Sequence, residues 1–154
     1  VSQSDMSLGT VSISDIARTI LDELAEQEPT RQVAPEIEAG LVTQGDQRLL
    51  SVALENLLQN AWKFTAGRDD AHIHLYHEQK DGKTIFCIQD NGAGFDMRYA
   101  RDLFTPFTRL HQQAEFPGSG IGLATAQRVI LRHGGRIWAE GEVNQGARFC
   151  FTLS

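Results

Sequence analysis

The segment from Asp46 to Phe64, DQRLLSVALENLLQNAWKF, constrains the fold more than any other. Leu50, Leu54, Leu57, Leu58 and Ala61 recur at steps of three and four, the spacing of one helical face. An apolar stripe of this length needs a second layer to cover it. The segments that follow supply one. AHIHLYHEQ alternates as a half-buried strand does, and KTIFCIQD is an apolar run suited to a central strand. Asp81-Gly82 between them reads as a hairpin turn. Asp46 is the expected N-cap of the long helix, and Gly67 with Asp69-Asp70 its end.

The rest of the chain fits the same two layers. Residues 1–10 read as a flexible lead-in, and TVSI as a short strand. Ser14 is the expected N-cap of a helix carrying Ile16, Ile20, Leu21 and Leu24, closed by Pro29. RQVAPEIEAGLVTQG reads as two short strands around a turn at Ala39-Gly40. A long irregular stretch runs from about Asn91 to Ser119, a length associated with function or mobility. The helix IGLATAQRVILRH ends at a Gly134-Gly135 C-cap. GRIWAEGE and ARFCFTLS close the chain as strands about a turn at Asn144-Gln145-Gly146. The order predicts a two-layer α/β sandwich, with helices on one face of a mixed sheet.

A length of 154 residues favours one domain, and no stretch approaches the roughly 18 apolar residues of a spanning helix. The net charge of −6 argues against nucleic-acid binding. Cys87 and Cys150 sit in apolar runs and are expected as buried free thiols, in keeping with a reducing cytosol. The opening Val1 suggests an excised fragment, with room for a membrane anchor outside it. His72 and His74 share a strand face with no third ligand evident, and are expected as an exposed, unliganded pair. Trp62 and Trp138 are expected to pack rather than to stack on a ligand. Asp22, Glu23, Glu26 and Glu28 read as a solvated helix face.

Three constellations carry chemistry. Asn56, Asn60 and Lys63 lie near one face of the long helix. An amide oxygen suits a magnesium ion already carrying phosphate, and a lysine suits the phosphates themselves, although the trio alone is equally a solvated polar stripe. Asp90-Asn91-Gly92-Ala93-Gly94-Phe95 follows the apolar strand directly. A carboxylate there can accept from an exocyclic amine, or simply cap a tight turn. Gly118-Ser119-Gly120-Ile121-Gly122-Leu123 opens a helix, whose amides bind anions. It lacks the preceding strand of a Rossmann fingerprint, and the chain has no P-loop.

Taken together, these segments resemble the N, G1 and G2 boxes of the histidine-kinase family, within the wider group that includes gyrase and mismatch-repair ATPases. The N box is ENLLQNAWKFT, the G1 box DNGAGF and the G2 box GSGIGLATAQRVILRHGG. Leu103 to Leu110, LFTPFTRL, resembles an F box, and Gly146-Ala147-Arg148-Phe149 a short G3 segment. The likeness is greatest to phytochrome-like and PAS-linked kinases. It implies the Bergerat fold, a mixed sheet of about five strands under about three helices, over residues 11–154.

The resemblance also implies roles. Asn60 would hold Mg2+, with Asn56 and Lys63 supporting the phosphates of ATP. Asp90 would accept the adenine amino group, Gly92 and Gly94 would bend the loop around the nucleotide, and Phe64 and Phe95 would lie by it. Residues 97–117 would form an ATP lid anchored by Phe104 and Phe107. Arg109 would reach the γ-phosphate, and Gly118, Ser119, Gly120, Ile121, Gly122 and Leu123 would wrap the triphosphate. The implied activity is ATP-dependent protein-histidine kinase, passing phosphate to a histidine on a helical hairpin and onward to a response regulator receiver domain. The implied location is cytoplasmic, without direct membrane contact by this domain.

Two departures stand out. Arg148 occupies a position where the family often has a small hydroxyl residue. None of the five histidines begins a helix in the acceptor pattern, so the acceptor is expected upstream. A gyrase-type hydrolase ranks lower, because Asn56 stands where a water-activating glutamate is needed. Glu55 is one residue off, a rotation of about 100°. A non-catalytic docking module is the alternative of another class.

Overall fold

The computed structural model describes residues 6–104 and 119–154, with 101 and 119–122 described by backbone alone. The elements are β1 (Leu8–Ser12), α1 (Ile13–Gln27), β2 (Val33–Ile37), β3 (Val42–Asp46), α2 (Gln47–Phe64), β4 (Ala71–Lys80) and β5 (Lys83–Asp90). A 3₁₀ segment (Met97–Phe104), α3 (Ser119–Arg132), β6 (Ile137–Glu142) and β7 (Gly146–Phe151) follow. The main sheet has the order β2-β4-β5-β7-β6, and β1 and β3 form a separate two-stranded sheet. Only β2 and β4 run parallel; the other ladders are antiparallel.

Alternation along the strands builds the core. Ile73 and Leu75 of β4, Phe86 and Ile88 of β5, and Phe149 and Phe151 of β7 face the helices. Ile13, Ala17 and Ile20 of α1, the leucines of α2, and Leu123, Ala126 and Ile130 of α3 cover them. The α/β sandwich expected from the sequence is therefore the fold, with β5 central as its apolar run indicated. The hairpin at Asp81-Gly82 also forms, both residues having positive φ (53° and 78°), as a type I′ turn requires.

Three local expectations need correction. The N-cap of α1 is Ser12, whose hydroxyl accepts from Asp15 N at 3.1 Å. Ser14 instead lies inside the helix and is buried. Its hydroxyl donates to Glu38 O at 2.6 Å and accepts from Leu41 N at 2.9 Å, tying α1 to the β2–β3 turn. The two strands expected around that turn do form; β2 joins β4, and β3 joins β1. As a result Leu8 to Thr10, read as lead-in, are paired strand. Finally, Cys87 and Cys150 stand opposite each other in the β5–β7 ladder and form a disulfide. Sequence separation of 63 residues hid that register.

Candidate functional site

Helix α2 carries the first part of the site. Its N-cap is Asp46, which accepts from Leu49 N at 3.0 Å. Along one side, Asn56 is half-buried, Asn60 buried and Lys63 exposed, so the polar face runs out of the core toward solvent at the helix C-terminus. Asn60 is only 3% exposed, and its Nδ2 has no hydrogen-bond partner among the described residues. A buried amide left unpaired is costly. Glu55 lies on another side of the helix. It lines a groove of about 760 Å³ between α1 and α2, with Asp15, Ile16 and Val52.

The C-terminus of α2 is held from outside. Arg31 donates from Nη1 to Trp62 O at 2.6 Å and from Nη2 to Thr65 Oγ1 at 2.9 Å, and its guanidinium lies 4.6 Å from the centre of the Trp62 ring. Trp62 is buried and donates from Nε1 to Glu28 Oε1 at 2.7 Å, which makes it a packing residue. Arg31 gave no signal in the sequence, since no periodicity links a loop arginine to a helix end 31 residues on.

Asp90 ends the central strand on the helix-facing side of the sheet, 4% exposed. Its carboxyl accepts from Gly92 N at 2.8 Å and from the backbone of Ala147. Burial nevertheless dominates, and pushes its pKa from 3.8 up to about 6.

Beyond Asp90 the chain leaves the sheet at once. Ala93 N donates to Phe64 O at 2.9 Å, and Asn144 N donates to Ala93 O at 2.7 Å. The loop is thus clamped between the end of α2 and the β6–β7 turn. Its glycines make this close approach possible. A side chain on Gly92 would meet the Phe64 carbonyl, and one on Gly94 (φ 66°) the Glu142 carbonyl. Both serve close packing of backbone on backbone. Phe95, expected beside the nucleotide, is instead a core residue, with its ring 6.4 Å from that of Phe149 and against Gly141. Phe64 is buried and contributes its carbonyl to the loop.

Leu103 and Phe104 are buried, and Phe104 meets Phe149 edge-on at 6.2 Å. Ser119, Gly120, Ile121 and Gly122 form the first turn of α3, and Leu123 enters the core. Phe107, Arg109, His111 and Gly118 lie outside the described residues. Arg148 turns to the opposite sheet face, where it binds Glu140 at 2.6 Å, Tyr76 Oη at 3.0 Å and Glu78 at 3.2 Å. It does not share the face of Asp90. On that outer face His72 and His74 both reach Glu36 of β2, at 3.0 and 3.4 Å.

Helix α2, with its buried Asn60, and β5, ending in the buried Asp90, lie in the two layers of the sandwich and are joined through the Ala93–Phe64 bond. The chain belongs to the family of histidine kinase-, DNA gyrase B- and HSP90-like ATPases, which residues 45–154 match. Within it, the chain is a histidine-kinase-type ATPase domain of the kind found in sensor kinases. It is 37% identical over 112 residues to cyanobacterial phytochrome A of Nostoc sp. (strain PCC 7120), covering 73% of this chain and 14% of that protein. It is 30% identical over 152 residues to phytochrome-like protein Cph1 of Synechocystis sp. (strain PCC 6803), covering 97% and 20%. The chain therefore spans about a seventh and a fifth of these relatives. Among solved structures, full-length ShkA in complex with AMPPNP superposes with a TM-score of 0.76 at 27% identity, over 97% of this chain and 31% of that one. The mycobacterial sensor histidine kinase MprB shares the fold, with a TM-score of 0.75 at 23% identity over 94% and 97%.

Proposed function

We propose that this domain binds Mg-ATP and transfers the γ-phosphate to a histidine on a separate dimerisation and phosphoacceptor domain of the same kinase. The observation that carries the reading is the presence of a buried Asn60 on α2 and a buried Asp90 at the end of β5, in a family of ATPases. Asp90 accepts the adenine amino group, an acceptor role that a guanine carbonyl does not match. The carboxamide of Asn60 supplies the oxygen that holds Mg2+, whose contribution when bound is to neutralise phosphate charge. Asn56 and Lys63, toward the solvent side of the same helix, orient the phosphates. Arg109 stabilises charge at the γ-phosphate, and the segment Gly118 to Leu123 presents the amides of a helix N-terminus to the anion. Residues 97–117 form the lid of this catalytic domain.

The accepting imidazole is a nucleophile when neutral, so positioning and electrostatics carry the work. Glu55 lines the groove on the α1 side of α2, out of the position expected of a water-activating carboxylate, which favours transfer over hydrolysis. The acceptor hairpin and a response regulator receiver are the partners, in a cytoplasmic setting. The chain's kinship with sensor kinases supports these assignments, and no described helix is long and apolar enough to cross a membrane.

The test is calorimetric titration of Mg-ATP into this protein and its Asp90→Asn variant, followed by addition of a hairpin carrying the acceptor histidine. Binding that weakens in the variant, with acid-labile phosphate appearing on the hairpin, is expected. Free phosphate without labelled protein would turn the reading to hydrolysis. A protein that ignores Mg-ATP would turn it to a docking module.

A further inference from the structure

Asn91 lies between the G1 carboxylate and its first glycine, and its geometry sets it apart. The β4–β5 ladder ends at Ile73 opposite Asp90. In an antiparallel ladder the next pair would set His72 opposite Asn91. The main chain makes no such pair, because Gly92 and Ala93 turn at once onto the Phe64 carbonyl. The Asn91 side chain bonds to the backbone leading into β4 instead. Its Oδ1 accepts from His72 N at 2.8 Å, and its Nδ2 donates to Asp70 O at 2.8 Å. The donor on one side and the acceptor on the other fix the orientation of the amide. Among side chains a carboxamide alone presents one planar acceptor and one planar donor as a peptide does. An aspartate would turn an oxygen on the Asp70 carbonyl.

We infer that Asn91 is a positioning residue for base recognition: its carboxamide continues the sheet by one pair, so that Asp90 stays strand-fixed while the chain departs to α2. Without it, the last ladder pair becomes the frayed end of the strand, and that pair carries the base-reading carboxylate. Two contacts fix Asp90 from the other side, the Ala147 backbone and the close approach of Gly146 to the Asp90 carbonyl. Asn91 closes the β4 side. The inference rests on the reading of Asp90 as acceptor of the adenine amine.

The test measures binding of ATP and of the purine nucleoside triphosphate that lacks the exocyclic amine, to wild type, Asp90→Asn, Asn91→Ala and Asn91→Asp. The wild type should prefer ATP by about tenfold or more, the worth of a hydrogen bond to a charged acceptor. Asn91→Ala should lose most of that preference while still binding both triphosphates. Asn91→Asp keeps the His72 bond and the side-chain size. It should lose part of the preference, and stands in should the alanine variant not melt cooperatively. Equal weakening toward both ligands, with the preference intact, would make Asn91 structural only and overturn the inference. An unchanged preference in Asp90→Asn would instead overturn the Asp90 reading beneath it.

Discussion

Ala93 donates its backbone N–H to the carbonyl of Phe64 at 2.9 Å, joining the loop after β5 to the last residue of α2. The bond forms because Gly92, one residue earlier, has no Cβ to strike that carbonyl. Gly92→Ala should therefore displace the loop from the helix, at a cost of about 1–3 kcal/mol by analogy with overpacked cores. Urea denaturation gives the stability, and Mg-ATP titration should show weaker binding, since the loop holds Asp90 and the helix Asn60. A variant with wild-type midpoint and affinity would show that the two segments are not rigidly joined.

The burial of Asp90 has a signed consequence for pH. Its pKa rises from 3.8 to about 6 in the folded protein. The native state thus binds the proton more readily than the unfolded chain between those values. Stability contributed by this group falls as pH rises through that window, and the full penalty, about 3 kcal/mol, stands above it. The stability difference between Asp90→Asn and wild type should shift in favour of the variant by this order on going from about pH 4 to about pH 7. Affinity for ATP should run the other way, weakening as pH falls through about 6, because the protonated acid is a poorer acceptor for the amine. Parallel denaturation and titration series check both. A pH-independent stability difference would contradict the assignment.

Asn60 separates binding from stability. Its Nδ2 is buried and unpaired among the described residues, so Asn60→Ala removes an unsatisfied group while leaving a small void. The two effects oppose each other, and the stability change should stay under about 1 kcal/mol. Leu57→Ala, three residues earlier and 1% exposed, should cost about 2–5 kcal/mol. Only Asn60→Ala should remove the dependence of ATP affinity on Mg2+. Magnesium titration at constant ATP reads this directly, and an unchanged dependence would take the metal away from Asn60.

The sequence carried the layers because their signals are periodic. The leucines of α2 and the alternation of β4 each mark a face, and the face marks the layer. Asn60 and Asp90 stand out for a related reason: each interrupts an apolar pattern at a buried point where a core residue would serve stability better. What stayed hidden depended on register between distant segments. The Cys87–Cys150 pair, the Ser14 bonds to the β2–β3 turn, and the clamp of Arg31 on α2 each join residues whose approach no local pattern encodes. Phe95 is a similar case, since a motif position beside glycines does not reveal which way its ring turns.

His133 shows how such a long-range bond is tested. Its Nδ1 donates to Val129 O at 2.9 Å, so its Nε2 is free to accept from Asp46 N at 3.0 Å. The ring thereby joins the C-terminus of α3 to the N-cap of α2. Gly45 lets it approach, since a Cβ there would lie 3.1 Å from Nε2. His133→Ala leaves the Asp46 amide without its acceptor and should cost about 1–3 kcal/mol. The Asp46 end of α2 lies about 20 Å along the axis from Asn60, given the helical rise. Mg-ATP affinity should accordingly change less than about twofold while the urea midpoint falls. Faster hydrogen exchange at the Asp46 and Leu49 amides would locate the damage at the cap. An unchanged midpoint would mean that water replaces the imidazole at no cost, and the tie between the two helices would then have to come from apolar packing alone.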